Sequence, residues 1–286
     1  MIDNTRKIYL TVKDYTVSKE TFGIYRDSKY DMLITFPKPK ESDLGRYYES
    51  GDYISHTDKK SGLFSIIYQF VRSFTLKNKL SIIEKRHPEK GSLLDIGAGT
   101  GHFLDLAQKK SWKVTGIEPS ANARKIAQNK GISFVDSIKD IESNSFDVIT
   151  MWHVLEHVYD LDEQLNQLKR ILKKDGTLIV AVPNFRSYDA KYYKRFWAAF
   201  DTPRHLWHFS KKAIRKLFQE KDMEVQEMLP MKFDAYYVSL LSEKNKKGYM
   251  NFFKAFYIGW KSNRKAKKRF QYSSIIYVIK NSQKSK

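Results

Sequence analysis

The chain has 286 residues, 41% of them apolar, enough for one large domain or a domain with appendages. It has no cysteine, which excludes disulfides and thiolate metal sites, and no run of about 18 apolar residues that would span a membrane. Lysine and arginine outnumber aspartate and glutamate by 52 to 32, and the excess is uneven: Lys244 to Phe270 carries ten cations and no acid.

Met1-Ile2-Asp3-Asn4 lacks the apolar run of a signal peptide, so the expected location is cytoplasmic, with the option of a peripheral membrane contact. Three β-rich runs follow, Ile8 to Val12, Thr21 to Tyr25 and Met32 to Phe36, ended by Pro37-Lys38-Pro39. From Leu63 to Arg86, apolar residues at Leu63, Ile66, Ile67, Phe70, Val71 and Phe74 keep the 3–4 spacing of an amphipathic helix. The expected organisation is a β-rich extension over 1–45, a helical cap over 46–91 and an α/β domain over 92–286.

Within that domain the pattern predicts strands at 92–96, 113–117, 132–135, 146–151 and 177–182, with helices between them. Ser120 reads as an N-cap and Gly131 as a C′ residue. Asp160 and Glu163 read as a capping box for a helix through Lys174, ended by Gly176. After Pro183-Asn184 the alternation breaks. An aromatic and basic insertion spans 185–209, and Ser210 caps a helix to about Glu220. A strand at 223–229, a basic insertion at 243–270 and a last strand at 274–279 complete the chain.

The stretch Leu93-Leu94-Asp95-Ile96-Gly97-Ala98-Gly99-Thr100-Gly101 is a buried strand running into a glycine turn, with a helix from His102. The dinucleotide fingerprint places its third glycine one residue later. With Asp95 before the first glycine and Glu118 closing the next strand, the pattern resembles motif I of the class I S-adenosylmethionine-dependent methyltransferases. That resemblance implies a Rossmann-like doubly wound seven-stranded sheet in the order 3-2-1-4-5-7-6. It implies that Asp95, Gly97, Ala98, Gly99 and Gly101 hold the methionine end of the cofactor, that Glu118, beside Pro119, receives its ribose, and that S-adenosylhomocysteine is the product. Asp136 and Ser137 stand where the family contacts adenine, and Trp152 and His153 where its fourth strand passes under the cofactor. The chain is also similar to bacterial members, including ubiquinone-pathway O-methyltransferases, that open with a small zinc ribbon; here Asp27 and Tyr30 stand at the cysteine positions. A plain β-hairpin extension is the alternative. An NAD(P)-binding Rossmann protein and a non-catalytic scaffold are the competing functional readings.

His153, Glu156 and His157 fall at i, i+3 and i+4, a spacing that in related methyltransferases carrying E-x-x-E-H holds a divalent ion; hydrogen bonding within the loop is the reading preferred here. In Asp201-Thr202-Pro203-Arg204-His205-Leu206-Trp207-His208, a histidine suits a general base and Arg204 an anionic substrate, or the cluster anchors the loop internally. His153 and His205 are the candidate catalytic residues, and Tyr53, His56, Arg204, His205 and His208 the candidate acceptor contacts. The acceptor atom is expected to be an oxygen of a small molecule or lipid-linked substrate. Phe252, Phe253, Phe256, Tyr257 and Trp260 share one helical face inside the basic segment. That face packs on the body, lies on an anionic membrane through 244–270 or, third, binds nucleic acid.

Overall fold

The computed structural model describes residues 8–48 and 63–282, with the side chains of the second stretch from Ser73 onward. At the N-terminus β1 (Ile8–Lys13), β2 (Thr21–Asp27) and β3 (Met32–Phe36) form an antiparallel meander. Along β2, Phe22 and Ile24 are buried and their neighbours are not, the period-2 alternation of a sheet with one covered face. A 3₁₀ turn (Glu41–Tyr48) and α1 (Leu63–Glu84) lead to the main sheet.

The α/β core runs through β4 (Ser92–Ile96), α2 (His102–Gln108), β5 (Lys113–Ile117), α3 (Ala121–Gln128), β6 (Ser133–Phe134), β7 (Phe146–Trp152), α4 (Leu161–Ile171) and β8 (Leu172–Pro183). After it come α5 (Tyr188–Tyr193), β9 (Trp207–His208), α6 (Lys211–Gln219), β10 (Met223–Pro230), α7 (Asp234–Lys247), α8 (Phe252–Arg269) and β11 (Ser274–Asn281). The seven-stranded order is β6-β5-β4-β7-β8-β11-β10. Counted along the core this is 3-2-1-4-5-7-6, the expected order. β11 lies antiparallel to both neighbours, unlike the six-strand order of a dinucleotide fold. β4, β7 and β8 are buried on both faces, as strands covered by helices on each side must be.

Local signals were obeyed with one correction. Ser120, Asp160 and Ser210 cap their helices by accepting the amides of Ala123, Glu163 and Ala213. The α4 helix stops at Ile171, not at Lys174. Leu172 is already extended and buried opposite Phe146, and Lys173 reaches Asp147 at 2.9 Å, so tertiary pairing overrides helix propensity there. Gly176 therefore lies within β8.

The N-terminal meander is not a separate unit. β9, from the aromatic insertion, pairs with β3 as its fourth strand. The turn at the presumed ribbon positions is closed by Asp27, which accepts the Tyr30 amide at 2.8 Å, and by the Tyr30 hydroxyl, which donates to Glu220, the C-cap of α6, at 2.6 Å. Hydrogen bonds and packing hold this turn. A shared core of Val12, Ile24, Leu33, Phe185, Trp197 and Ile258 joins the meander, the insertion and α8.

Arg204 is the buried centre of that junction. Its Nη2 donates to Asp14 at 3.0 Å and to Asp201 at 2.6 Å, its Nε to Asp201 at 2.9 Å, and its Nη1 to the Tyr47 carbonyl at 2.9 Å. Asp14 also accepts the amides of Thr16 and Ser18. Burial opposes its charge, but Arg204 and those amides hold its carboxyl at about 2. Replacing Arg204 with Leu strands two carboxylates, an effect of about 3–5 kcal/mol. Urea unfolding is expected to register that loss. The stability that Asp14 adds is present above its unfolded value near 4 and is lost as pH falls toward 2.

Candidate functional site

β4 delivers Asp95 to the carboxyl end of the sheet, where the chain turns through three glycines with positive φ. They do different jobs. A Cβ on Gly97 would lie 2.4 Å from Val154, and one on Gly101 2.7 Å from Ala127, so both positions serve close packing. The amides of Gly97 and Ala98 are taken by the Ile117 carbonyl. At Gly99 a Cβ would meet nothing within 4 Å. This open position is bordered by Glu118, whose carboxylate accepts the Gly99 amide at 2.8 Å and the Ser120 amide at 2.9 Å. A bare backbone cradle with a carboxylate at its edge fits a ribosyl cofactor bearing vicinal hydroxyls. Pro119 beyond it is exposed.

Asp95 is buried, accepts the Thr150 hydroxyl at 2.6 Å, and is pushed up to about 7 by burial, against that bond and the nearby Lys79. Lys79, from α1, stands with its ammonium 4.5 Å from the Trp152 ring centre. Burial lowers its pKa, while Asp95 and Asp234 act to keep it charged. Asp136 pairs with Arg124 at 2.5 Å, and Ser137 accepts the Lys139 amide, so both expected adenine contacts already hold their loop.

β7 ends in Trp152, and His153 follows with φ 59, a left-handed conformation costly for a residue with a Cβ. Its ring lies between two acids. Nε2 is 3.0 Å from Asp234 at the start of α7, and Nδ1 is 3.3 Å from Glu156. Burial opposes the charged ring, but these two partners overcome it and push the imidazole up to about 10. His153 is therefore an imidazolium at neutral pH, suited to hold and balance the two carboxylates.

The metal trio weighed against hydrogen bonding within the loop, His153, Glu156 and His157, does not form a converging donor set among the described residues. The donor atoms that do, within 4.8 Å of one another, are those of Glu156, His157 and His205. Nδ1 of His157 lies 3.1 Å from the Arg204 carbonyl, and Nδ1 of His205 lies 2.9 Å from that of Ala199. Burial and the neighbouring His205 push His157 down to about 4, leaving a neutral ring. Glu156 is 1% exposed, and its Oε2 has no hydrogen-bond partner among the described residues. Two imidazoles and one carboxylate, each ring steadied by a backbone carbonyl, are a donor set suited to a divalent cation.

Arg204 and His208 fit the alternative reading, in which the cluster anchors the loop internally. Arg204 is spent on Asp14, Asp201 and Tyr47, and is 5% exposed. His208 is buried with Nε2 2.9 Å from the Thr35 hydroxyl, and burial takes it well below the usual imidazole range. His205 packs edge-on to His157 behind Glu156, not at a cleft mouth. Tyr53 and His56 lie outside the described residues. Lys79, Thr150 and Asp234 were not singled out from sequence. Nothing local distinguishes them; only tertiary structure brings α1 and α7 to the end of β7.

Beside this cluster is a cavity of about 470 Å³. Phe74, Ile82, Leu229 and Met231 make its apolar wall, and Lys79 and Asp234 belong to the same lining. Lys85 and Lys232 add positive charge, while Arg86 is paired with Glu227 in the same lining.

The ionic arrangement has a direct readout. A proton NMR titration is expected to find His153 protonated through neutral pH, with its midpoint near 10, and to find a lower midpoint in Asp234→Asn. Because the folded value lies above the unfolded one, the stability it adds is present below about 6.5 and is lost as pH rises through 10.

A family described as a methyltransferase domain matches residues 68–228, more than half of the chain. The ubiquinone biosynthesis O-methyltransferase of Actinobacillus pleuropneumoniae is 34% identical over 106 residues, covering 32% of this chain and 45% of the relative. An uncharacterized protein of Methanocaldococcus jannaschii is 31% identical over 113 residues, 38% of this chain and 53% of the relative. The chain thus spans about half the length of the curated relatives it matches. Among solved structures, a Haemonchus contortus phosphoethanolamine N-methyltransferase 2 with S-adenosylhomocysteine aligns with a TM-score of 0.55. It covers 96% of this chain and 71% of its own at 14% identity. Geranyl diphosphate C-methyltransferase of Streptomyces coelicolor aligns at 0.51 over 72% and 76%, also at 14% identity. At that identity these two speak for the fold alone, and it is the same fold. With the glycine turn, Glu118 and the 3-2-1-4-5-7-6 sheet in hand, the chain belongs to the methyltransferase-domain family as a class I S-adenosylmethionine-dependent member.

Proposed function

We propose that this chain methylates an oxygen of a small amphipathic or lipid-linked acceptor. The observation that carries the reading is the cavity of about 470 Å³, whose apolar wall shares its lining with Lys79 and Asp234, the groups that border Asp95 and His153. When bound, the cofactor supplies an electrophilic methyl group, so the protein's work is positioning and the handling of one proton. Glu118 would accept the ribose hydroxyls, and Lys79 is the cation available for a carboxylate.

Asp234 is the residue we assign to the acceptor hydroxyl. Burial raises its pKa, but the bond and charge of His153, with Ser274 and Lys79, together outweigh it and keep the group ionised. A hydroxyl becomes strongly acidic as its oxygen forms a new bond, so a weakly basic carboxylate suffices to take the proton. His153 holds that carboxylate in place and balances its charge.

Calorimetry of Glu118→Ala is expected to show at least a tenfold loss of cofactor affinity, about 1.4 kcal/mol; unchanged affinity would remove Glu118 from the site. Asp234→Asn should lower kcat by about 10²-fold or more while cofactor affinity stays within a few-fold. Methyl-labelled cofactor incubated with fractionated cell extract is expected to label lipid or small molecules. Label confined to nucleic acid or protein overturns the acceptor class.

A second reading, favoured by the unpartnered Glu156 oxygen, is that a divalent ion on Glu156, His157 and His205 organises the loop. Exhaustive chelation separates the two. Activity that falls and returns with added metal supports the ion, and full activity in chelator leaves these residues to positioning.

A further inference from the structure

The α7–α8 hairpin is built with its large residues facing out. The side of α8 that meets the body consists of Ala255, Ile258, Gly259, Ser262 and Ala266, mostly small and all buried. A Cβ on Gly259 would lie 2.9 Å from the Tyr236 backbone, so the two helices touch too closely for any side chain there. The Ser262 hydroxyl is fixed on the buried Asp189, 2.6 Å away. α8 is thus anchored by its small face.

The opposite face carries the aromatic stripe. Phe253 is 93% exposed, Phe256 65% and Trp260 43%, with Phe252 and Tyr257 also exposed beside them. Tyr249, in the connection, extends the stripe. Cations stand level with the rings: Lys254 and Lys261 within 6 Å of the Tyr257 centre, Arg264 within 6 Å of the Trp260 centre. No acid lies between Lys244 and Phe270, and Glu243 just before them is buried against the Tyr193 hydroxyl. A contiguous row of large apolar rings this exposed to water is unfavourable in a free monomer.

We infer that this ridge docks on an anionic phospholipid bilayer. The chemistry of the ridge selects that occupant. Phenyl side chains protruding from a convex helix can enter the boundary between headgroups and acyl chains, while flanking lysines and arginines meet lipid phosphates. A nucleic-acid duplex would also meet the cations, but it would leave most of the Phe253 and Phe256 surface in water; a single strand, whose bases stack on such rings, is separated by the RNA arm of the test. Lys232 lines both the 470 Å³ cavity and a second one of about 300 Å³ under Trp260, so docking brings the acceptor cavity beside the lipid. That consequence rests on the proposed acceptor; the docking itself does not.

The test uses the full chain with sedimented vesicles, either neutral phosphatidylcholine or the same lipid with about one-third phosphatidylglycerol. Binding to anionic vesicles at low salt is expected, at least tenfold weaker on neutral vesicles and at least tenfold weaker at high salt, where the Debye length shortens. Phe253→Ser with Phe256→Ser, and separately Lys261→Glu with Arg264→Glu, should each weaken binding at least tenfold. Phe253 and Arg264 are exposed, while Phe256 lies beside Tyr236 and Lys261 beside Tyr188, so thermal melts check that each variant remains folded. Equal binding to both vesicle types overturns the inference, as does no binding by folded protein or retention of binding by both variants. Salt-sensitive binding to single-stranded RNA that anionic vesicles do not displace would assign the ridge to nucleic acid. A dimer dissolved by Phe253→Ser would assign it to a second copy. Label confined to nucleic acid or protein would retire the proposed acceptor class while leaving vesicle binding to decide the docking.

Discussion

The buried guanidinium of Arg204 is the interaction on which the rest of the architecture depends. It is enclosed by Asp201, three residues before it, and by Asp14 and the Tyr47 carbonyl from the distant N-terminal region. A charge that deep is tolerable only with every donor satisfied, so the N-terminal meander and the aromatic insertion must close around it together. The consequences reach the site. The Arg204 carbonyl faces His157, the next residue is His205, and the Leu206 amide donates to the Glu156 carbonyl at 2.8 Å. One clamp therefore closes a sheet and seats two imidazoles beside a buried carboxylate.

From there charge alternates across the end of the main sheet. Lys79 stands near Asp95 and Asp234, Asp234 binds His153, and His153 binds Glu156. Burial alone would neutralise most of these groups. Pairing prevents it at His153, Asp234 and Glu156, whereas Asp95, helped only by Thr150 and Lys79, rises to about 7. The resulting site is preorganised, with dipoles and charges fixed before any substrate enters. The positive φ of His153 belongs to the same economy: an unfavourable backbone is accepted so that one ring can reach both acids.

How much of this could be read from sequence follows from range. The glycine turn, the caps and the β/α alternation are local, and they located the strands of the main sheet within a few residues. The strand order came with the resemblance to class I methyltransferases that the motifs around Asp95, Glu118 and Phe146 carry. What escaped was set by distant partners. Arg204 is 190 positions from Asp14, and nothing in Asp-Thr-Pro-Arg-His says that its arginine faces inward. The same holds for the end of α4, fixed by Phe146 and Asp147, and for β9, two residues long and visible only through β3. The spacing of His153, Glu156 and His157 suggested one face of a helix. The chain there is a 3₁₀ turn over Leu155–His157 preceded by a left-handed residue, so the face never forms.

The α8 helix carries the most general lesson. Periodicity shows that a helix has faces; it does not say which one turns inward. In Phe252–Arg269 two stripes compete, one of large aromatics and one of small residues about half a turn away. Burying the aromatics would gain more apolar area, about 25 cal/mol per Å². It would also push α8 away from α7, expose Ile258 and strip Asp189 of the Ser262 hydroxyl in the core. Close backbone contact at Gly259 and a satisfied buried carboxylate settle the choice for the small face. The large rings are then left outside as a by-product of tight packing, in the middle of a segment without a single acid. Folding stability therefore accounts for the inner face of this helix completely, and it supplies no reason for the composition of the outer one.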